Sequence, residues 1–184
     1  DNNGPTTWGS SNDTSRQAAS ALELQDGVLV KKDAHNYRYL GTIRTTSTTG
    51  QCEDSLTKRL VWNAYHRVDR AMYYLPIGVA SWTYEDAAWR QRGGHTASQV
   101  ECVAGQDGDN ITVDVWGYSQ NAAGATTTFM SVGIGESADT PVTGCILVPA
   151  TADVTDSKKP SSAHLRKQKS EGYHSYRWLE WSTA

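Results

Sequence analysis

From Ala21 to Trp181, apolar residues recur at every second position in short runs, and Gly, Asp, Asn or Pro ends nearly every run. A period of two puts alternate side chains on opposite faces, as in a strand with one buried side. Such close punctuation leaves few windows long enough for a helix. Ala21–Leu24 and Val28–Val30 flank Gln25-Asp26-Gly27, and Asp-Gly is a strong hairpin turn. Tyr37–Thr45 reads as one strand, with Tyr37, Tyr39 and Ile43 on one face and Arg38, Thr42 and Arg44 opposite. Leu56–Val68 fits both periods, and the expectation is a short helical turn over 54–58 followed by a strand over 60–68. Strands are also expected over 70–77, ended by Pro76, and over 81–84, with a Gly93-Gly94 loop next.

Farther on, Gln99–Ala104 and Ile111–Tyr118 flank the turn Asp107-Gly108-Asp109 and are expected to pair as an antiparallel hairpin. In the second of them Ile111, Val113 and Val115 alternate with Thr112, Asp114 and Trp116, so Trp116 falls on the polar face. Thr126–Ile134, a buried strand over Thr143–Val148, and Tyr173–Trp181 complete the set. Residues 149–171 are polar, basic in their second half, and expected as a long exposed loop. About nine or ten short strands argue for an all-β, jelly-roll-like antiparallel β-sandwich. The polar residues 1–20 are expected as an extended N-terminal arm, and 21–184 as a single domain, since 184 residues suffice for one core. No repeat of fixed period points to a propeller or β-helix.

A net charge of −3 does not fit a protein held to nucleic acid by bulk phosphate attraction, so no nucleic-acid partner is expected. No run of about 18 apolar residues occurs, so no membrane insertion is expected either. The three cysteines, Cys52, Cys102 and Cys145, form no Cys-x-x-Cys motif, and buried reduced thiols are expected.

Motifs for cofactor or metal chemistry are sparse. The five histidines, His35, His66, His95, His164 and His174, include no pair at i,i+2 or i,i+4, so no metal site or cofactor is expected. Asp107-Gly108-Asp109-Asn110 carries oxygen ligands suited to Ca²⁺ but lacks an EF-hand's length and terminal Glu; a solvated turn is the simpler reading. Glu53-Asp54 and Glu85-Asp86 are adjacent carboxylates, yet neighbours on a strand point to opposite faces, whereas a glycosidase needs two facing each other across a sugar. Nucleophile elbows, phosphate loops and dinucleotide fingerprints are missing from the sequence.

The aromatic balance is the stronger lead, with seven Trp and nine Tyr against one Phe. Trp and Tyr combine a large apolar body with a polar handle and suit interfaces as well as cores. Trp62, Trp82, Trp89, Trp116 and Trp178 are therefore the candidate ligand or intersubunit contacts, and an exposed indole suits the C–H face of a sugar ring.

One ordered set of words runs along much of the chain: Leu22–Val28, Tyr39-Leu40-Gly41-Thr42-Ile43-Arg44, Lys58–Asn63, Ser81-Trp82-Thr83-Tyr84, Ala88-Trp89-Arg90-Gln91, Ser131–Gly135 and Trp178-Leu179-Glu180. It resembles a domain of tailed-bacteriophage virion surface proteins, of tail-fibre, head-fibre or decoration type. Against that pattern, 137–171 looks like an insertion, and the residues before Asn12 form only a short arm. The resemblance implies a β-rich virion structural protein, commonly a homotrimer, assembled in the host cytoplasm and carrying no catalytic residues. The expected role is capsid decoration (cement) or fibre tip. Self and other virion proteins are the expected partners, and residues 1–20 the docking arm. Two alternatives remain open at this point: a lectin-like module for host surface glycan, and a glycan depolymerase.

Overall fold

The computed structural model describes residues 21–46, 48, 50–76, 81–84, 86–120, 128–152 and 158–183. The expected arm 1–20 and the start of the strand expected from Thr126 lie outside the described residues. Among the described residues regular structure is extended throughout, apart from a 3₁₀ turn at Arg92–Gly94, and the protein is all-β. Six strands come first: β1 (Leu22–Gln25), β2 (Val28–Lys31), β3 (Ala34–Arg38), β4 (Gly41–Ile43), β5 (Lys58–Arg59) and β6 (Val61–Asn63). Eight follow: β7 (Arg90–Gln91), β8 (Gln99–Ala104), β9 (Asn110–Ser119), β10 (Thr128–Gly135), β11 (Ile146–Val148), β12 (Ala150–Ala152), β13 (Lys159–Gln168) and β14 (Gly172–Ser182). Where one domain is expected over 21–184, the chain divides into two compact units.

The first unit holds the described chain up to Met72, with Glu101–Asp109 and Lys169–His174. Its β1-β2-β3 meander is antiparallel, with a bulge between Val30 and Lys31. Asp26 (φ 49°) and Gly27 (φ 80°) both sit at positive φ, as a two-residue hairpin turn matched to the strand twist requires. β4 pairs with β6, and β5 runs parallel to β8 through Lys58↔Glu101 and Arg59↔Cys102. Val30, Tyr39, Leu60, Cys102, Val103 and Ala104 are buried here.

The single strand expected over 37–45 is in fact two, and its phase is lost between them. β3 pairs with β2 and β4 with β6, so the alternation restarts at the break; Thr42 is buried and Ile43 is 62% exposed. The helical turn expected over 54–58 is a reverse turn, with Ser55 N–H donating to the Lys58 carbonyl and Lys58 N–H to Ser55 Oγ. The strand expected over 60–68 reduces to β6, and 71–76 and 81–84 carry no regular structure.

The second unit comprises the described parts of Tyr73–Val100, Asn110–Gln168 and Ser175 onward, and it holds a sandwich. One sheet is β12-β10-β14, with β7 on β14 and the Trp178 N–H bonded to the Ser98 carbonyl beside β8. The other is β11-β13-β9, in which β13 is central and pairs with β9 along its full length. A Cβ on Gly117 would lie 3.3 Å from Val132 and 3.4 Å from Trp178, so those two side chains face the β9 sheet. Ile134, Ala163, Leu165 and Leu179 are at most 1% exposed.

Three expectations fail in this unit. β8 and β9 do not form a hairpin; β9 takes β13 instead, because ten paired residues outweigh a short local turn. Residues 149–171 are no loop, since they hold β12 and the central strand β13. The inward residues of β13 are Ser161, Ala163 and Leu165, small enough that the segment reads as polar. Finally, β11 is an edge strand with Ile146 63% and Val148 54% exposed, where a buried strand is expected.

Leu165→Ala should lower unfolding free energy by about 3 kcal/mol, the usual loss for a fully buried Leu. Trp116→Ala, at an exposed position, should change it by no more than about 0.5 kcal/mol. Equal midpoint shifts in urea would show that the Trp116 face is packed rather than bare.

Candidate functional site

The two faces of the β11-β13-β9 sheet differ sharply. Strict alternation along β9 turns Ile111, Val113, Val115 and Gly117 inward and Thr112, Asp114, Trp116 and Tyr118 outward. Residues opposite each other on antiparallel strands share a face, so the register maps the outer surface. Tyr118 stands beside Pro160. The next rung is Trp116, Ser162 and Val148, and the one after is Asp114, His164 and Ile146. Arg166 and Thr112 follow. Trp116 is 75% and Tyr118 78% exposed. His164 Nδ1 and Asp114 Oδ1 lie 2.6 Å apart, both half-exposed. An apolar corner thus adjoins a polar one on a sheet stiffened by the core beneath it.

Of the five candidate tryptophans, Trp116 alone lies on this face. Trp62, in the first unit, stacks on Tyr39 at 6.0 Å and donates Nε1–H to Asp109 at 2.7 Å. Arg67 also reaches Asp109. Trp89 closes over Gly133, where a Cβ would lie 2.8 Å from its ring, and tilts against Trp181 at 6.4 Å.

Trp82 and Trp178 hold the guanidinium of Arg92, 3.9 Å over one ring and 4.8 Å over the other. Arg92 is 2% exposed, and among the described residues its Nε and Nη1 have no hydrogen-bond partner. Burial presses its pKa down, against the pull of Tyr74 and Glu180. The indole faces supply part of the missing stabilisation. Beside this stack, Glu180 accepts hydrogen bonds from Trp82 Nε1 at 2.5 Å, Arg90 Nε at 2.7 Å and Gly93 N at 3.0 Å. Gly93 presents that N–H from a positive φ of 61°.

Of the carboxylates singled out in the sequence, Glu53, Asp54, Asp107 and Asp109 are engaged by neighbouring protein groups. Asp54 accepts from Arg70 at 2.6 Å and Arg59 at 3.4 Å; the Arg70 hydrogen bond leads in holding its pKa below the ordinary carboxylate value. Glu53 accepts from Ser55 Oγ at 2.7 Å. Asp107 takes the Glu171 N–H at 2.7 Å, so the acidic turn serves the local fold. Glu85 lies outside the described residues. Among the described residues no cluster of three His, Cys, Asp or Glu side chains could hold a metal ion, and no helix is long and apolar enough to cross a membrane.

All three cysteines are free; Cys102 is buried, Cys145 half-buried and Cys52 exposed. Burial raises the pKa of Cys102 and Cys145. In the first unit a cleft of about 280 Å³ is lined by Leu24, Val28, Leu29, Arg38, Tyr65 and Gln106. It is small for a ligand pocket, and Arg38 already lies 4.4 Å over the Tyr65 ring.

Tyr118 was within reach of the alternation that exposes Trp116. Ser162 and His164 were hidden by the loop reading of β13, and Ile146 and Val148 by the buried reading of β11. Nothing in the sequence pairs Arg92 with two tryptophans. Set beside known proteins, the chain matches no family model, no curated protein and no solved structure.

Glu180→Ala should cost about 3 kcal/mol, because it leaves three donors without their acceptor and the buried Arg92 without its nearby counter-charge, while Arg90→Ala, which removes one half-exposed donor of the three and leaves Arg92 beside the carboxylate, should cost less. Equal losses in urea unfolding would remove Glu180 from the centre of this network. For Asp54, whose folded pKa is depressed, the ion-pair stabilisation is present above the unfolded value of 3.8 and is lost as pH falls through the lower folded value. Asp54→Asn should therefore destabilise at pH 7 and flatten the acid limb below about pH 4; parallel stability–pH curves would refute the linkage.

Proposed function

We propose that this protein is a non-enzymatic bacteriophage virion structural protein, a capsid decoration or fibre-tip protein that works by association on the particle surface. The phage assignment comes from the resemblance of the ordered sequence words. The outer face of β11-β13-β9 carries the association reading, because Trp116, Tyr118, Ile146 and Val148 stand exposed together on one sheet. A rigid sheet holds such side chains in place before a partner arrives, which reduces the ordering cost of binding. Aromatic side chains with a polar rim are the usual anchors of protein surfaces that bind. In this reading the chains assemble as a homotrimer beside other virion proteins.

An antiserum against the purified chain should label density-purified particles in electron microscopy, and light scattering should give a mass three times that of the chain. Unlabelled particles overturn the virion assignment; a monomer at every concentration overturns the trimer.

A further inference from the structure

We infer that the outer face of β11-β13-β9 is a carbohydrate platform, on which Trp116 stacks against a neutral pyranose and Asp114 receives its hydroxyls. The inference rests on the reading of that face as a binding surface and names what it binds.

Four features lead to this occupant. First, Trp116 and Tyr118 lie two residues apart on one face of β9, about 7 Å along the strand, so neighbouring units of a linear glycan can each meet a ring. Second, their cross-strand neighbours are Ser162 and Pro160, short side chains that leave room above the sheet beside each ring. Third, Asp114 lies one step farther along β9, also about 7 Å from Trp116. A ring resting its C–H face on the indole directs its equatorial hydroxyls outward along the sheet, the side on which Asp114 stands. Asp114 uses one oxygen on His164 and keeps further lone pairs for hydroxyl donors; His164 and Ser162 add groups able to donate or accept.

The fourth feature is charge. Asp114 is hydrogen-bonded to His164, and the Arg166 cation stands one rung beyond the Asp114 carboxylate. A surface of aromatic rings with locally balanced polar groups suits a ligand that is itself uncharged, apolar on its ring faces and polar at its rim. A second copy laid face to face would instead take Asp114, His164 and Arg166 out of water together, at a cost that a small apolar corner does not offset.

The test uses the whole chain and defined probes: methyl glycosides of glucose, galactose, mannose and N-acetylglucosamine in saturation-transfer NMR, and linear oligomers of the same sugars on an array. At least one neutral probe should bind. Trp116→Ala should weaken it by at least about tenfold, the effect of losing one anchoring contact. Asp114→Asn should weaken it several-fold, while Leu24→Ala, in the first unit, should leave it unchanged. Thermal melting of each variant confirms that the fold survives.

Binding confined to sialylated or uronic probes and lost in Arg166→Ala would overturn the neutral-sugar assignment. Wild-type chain that ignores every probe, yet forms an oligomer that Trp116→Ala dissolves, would overturn the carbohydrate site and leave the association reading standing, with a second copy as occupant. Neither sugar binding nor a Trp116-dependent oligomer would remove both.

Discussion

Glu180 is a carboxylate 8% exposed, and its position is tenable only because three donors converge on it from one short segment. An unpaired buried carboxylate would be far too costly, so Trp82, Arg90 and the backbone of Gly93 are bound to one strand, β14. With those three anchored, Arg92 has little freedom: its guanidinium lies between Trp82 and Trp178, and Trp89 closes over Gly133 on β10. The polar hub thereby sets where the aromatic side chains of the segment 81–98 pack. Three of the five candidate tryptophans owe their engagement to it or to the strand beside it.

The consequence for function is an asymmetry. Trp82, Trp89 and Trp178 are occupied against the β10-β14 sheet, and Trp62 is occupied by Tyr39 and Asp109 in the first unit. The β11-β13-β9 sheet keeps its outer face bare, with Trp116 and Tyr118 at one edge. Exposed aromatic rings on a rigid sheet are costly to keep in water and well suited to a partner. The association proposed for this protein, with virion partners and with a sugar, draws on that asymmetry.

Local readings succeeded where the signal was local. The Asp26-Gly27 turn, β8, the alternation of β9 and the position of β14 all followed from spacing and turn chemistry. So did the placing of Trp116 on the polar face of its strand, since its neighbours at i±2 are Asp114 and Tyr118; that no loop covers its ring, at 75% exposed, did not. Readings failed where burial depended on a distant partner. β13 looked like a loop because its inward positions are Ser161, Ala163 and Leu165, and nothing local reports that β9 and β11 flank it. β11 looked buried because Ile146, Leu147 and Val148 are all apolar, yet an edge strand turns two of the three outward.

By itself, the sequence determined the all-β class and, within each uninterrupted strand, which residues share a side, because a period of two is a property of the extended backbone alone. Tertiary structure decided which strands became neighbours, where the alternation broke and which sheet face stayed uncovered. Those outcomes depend on pairing and packing between segments dozens of residues apart, whose energies no local pattern contains.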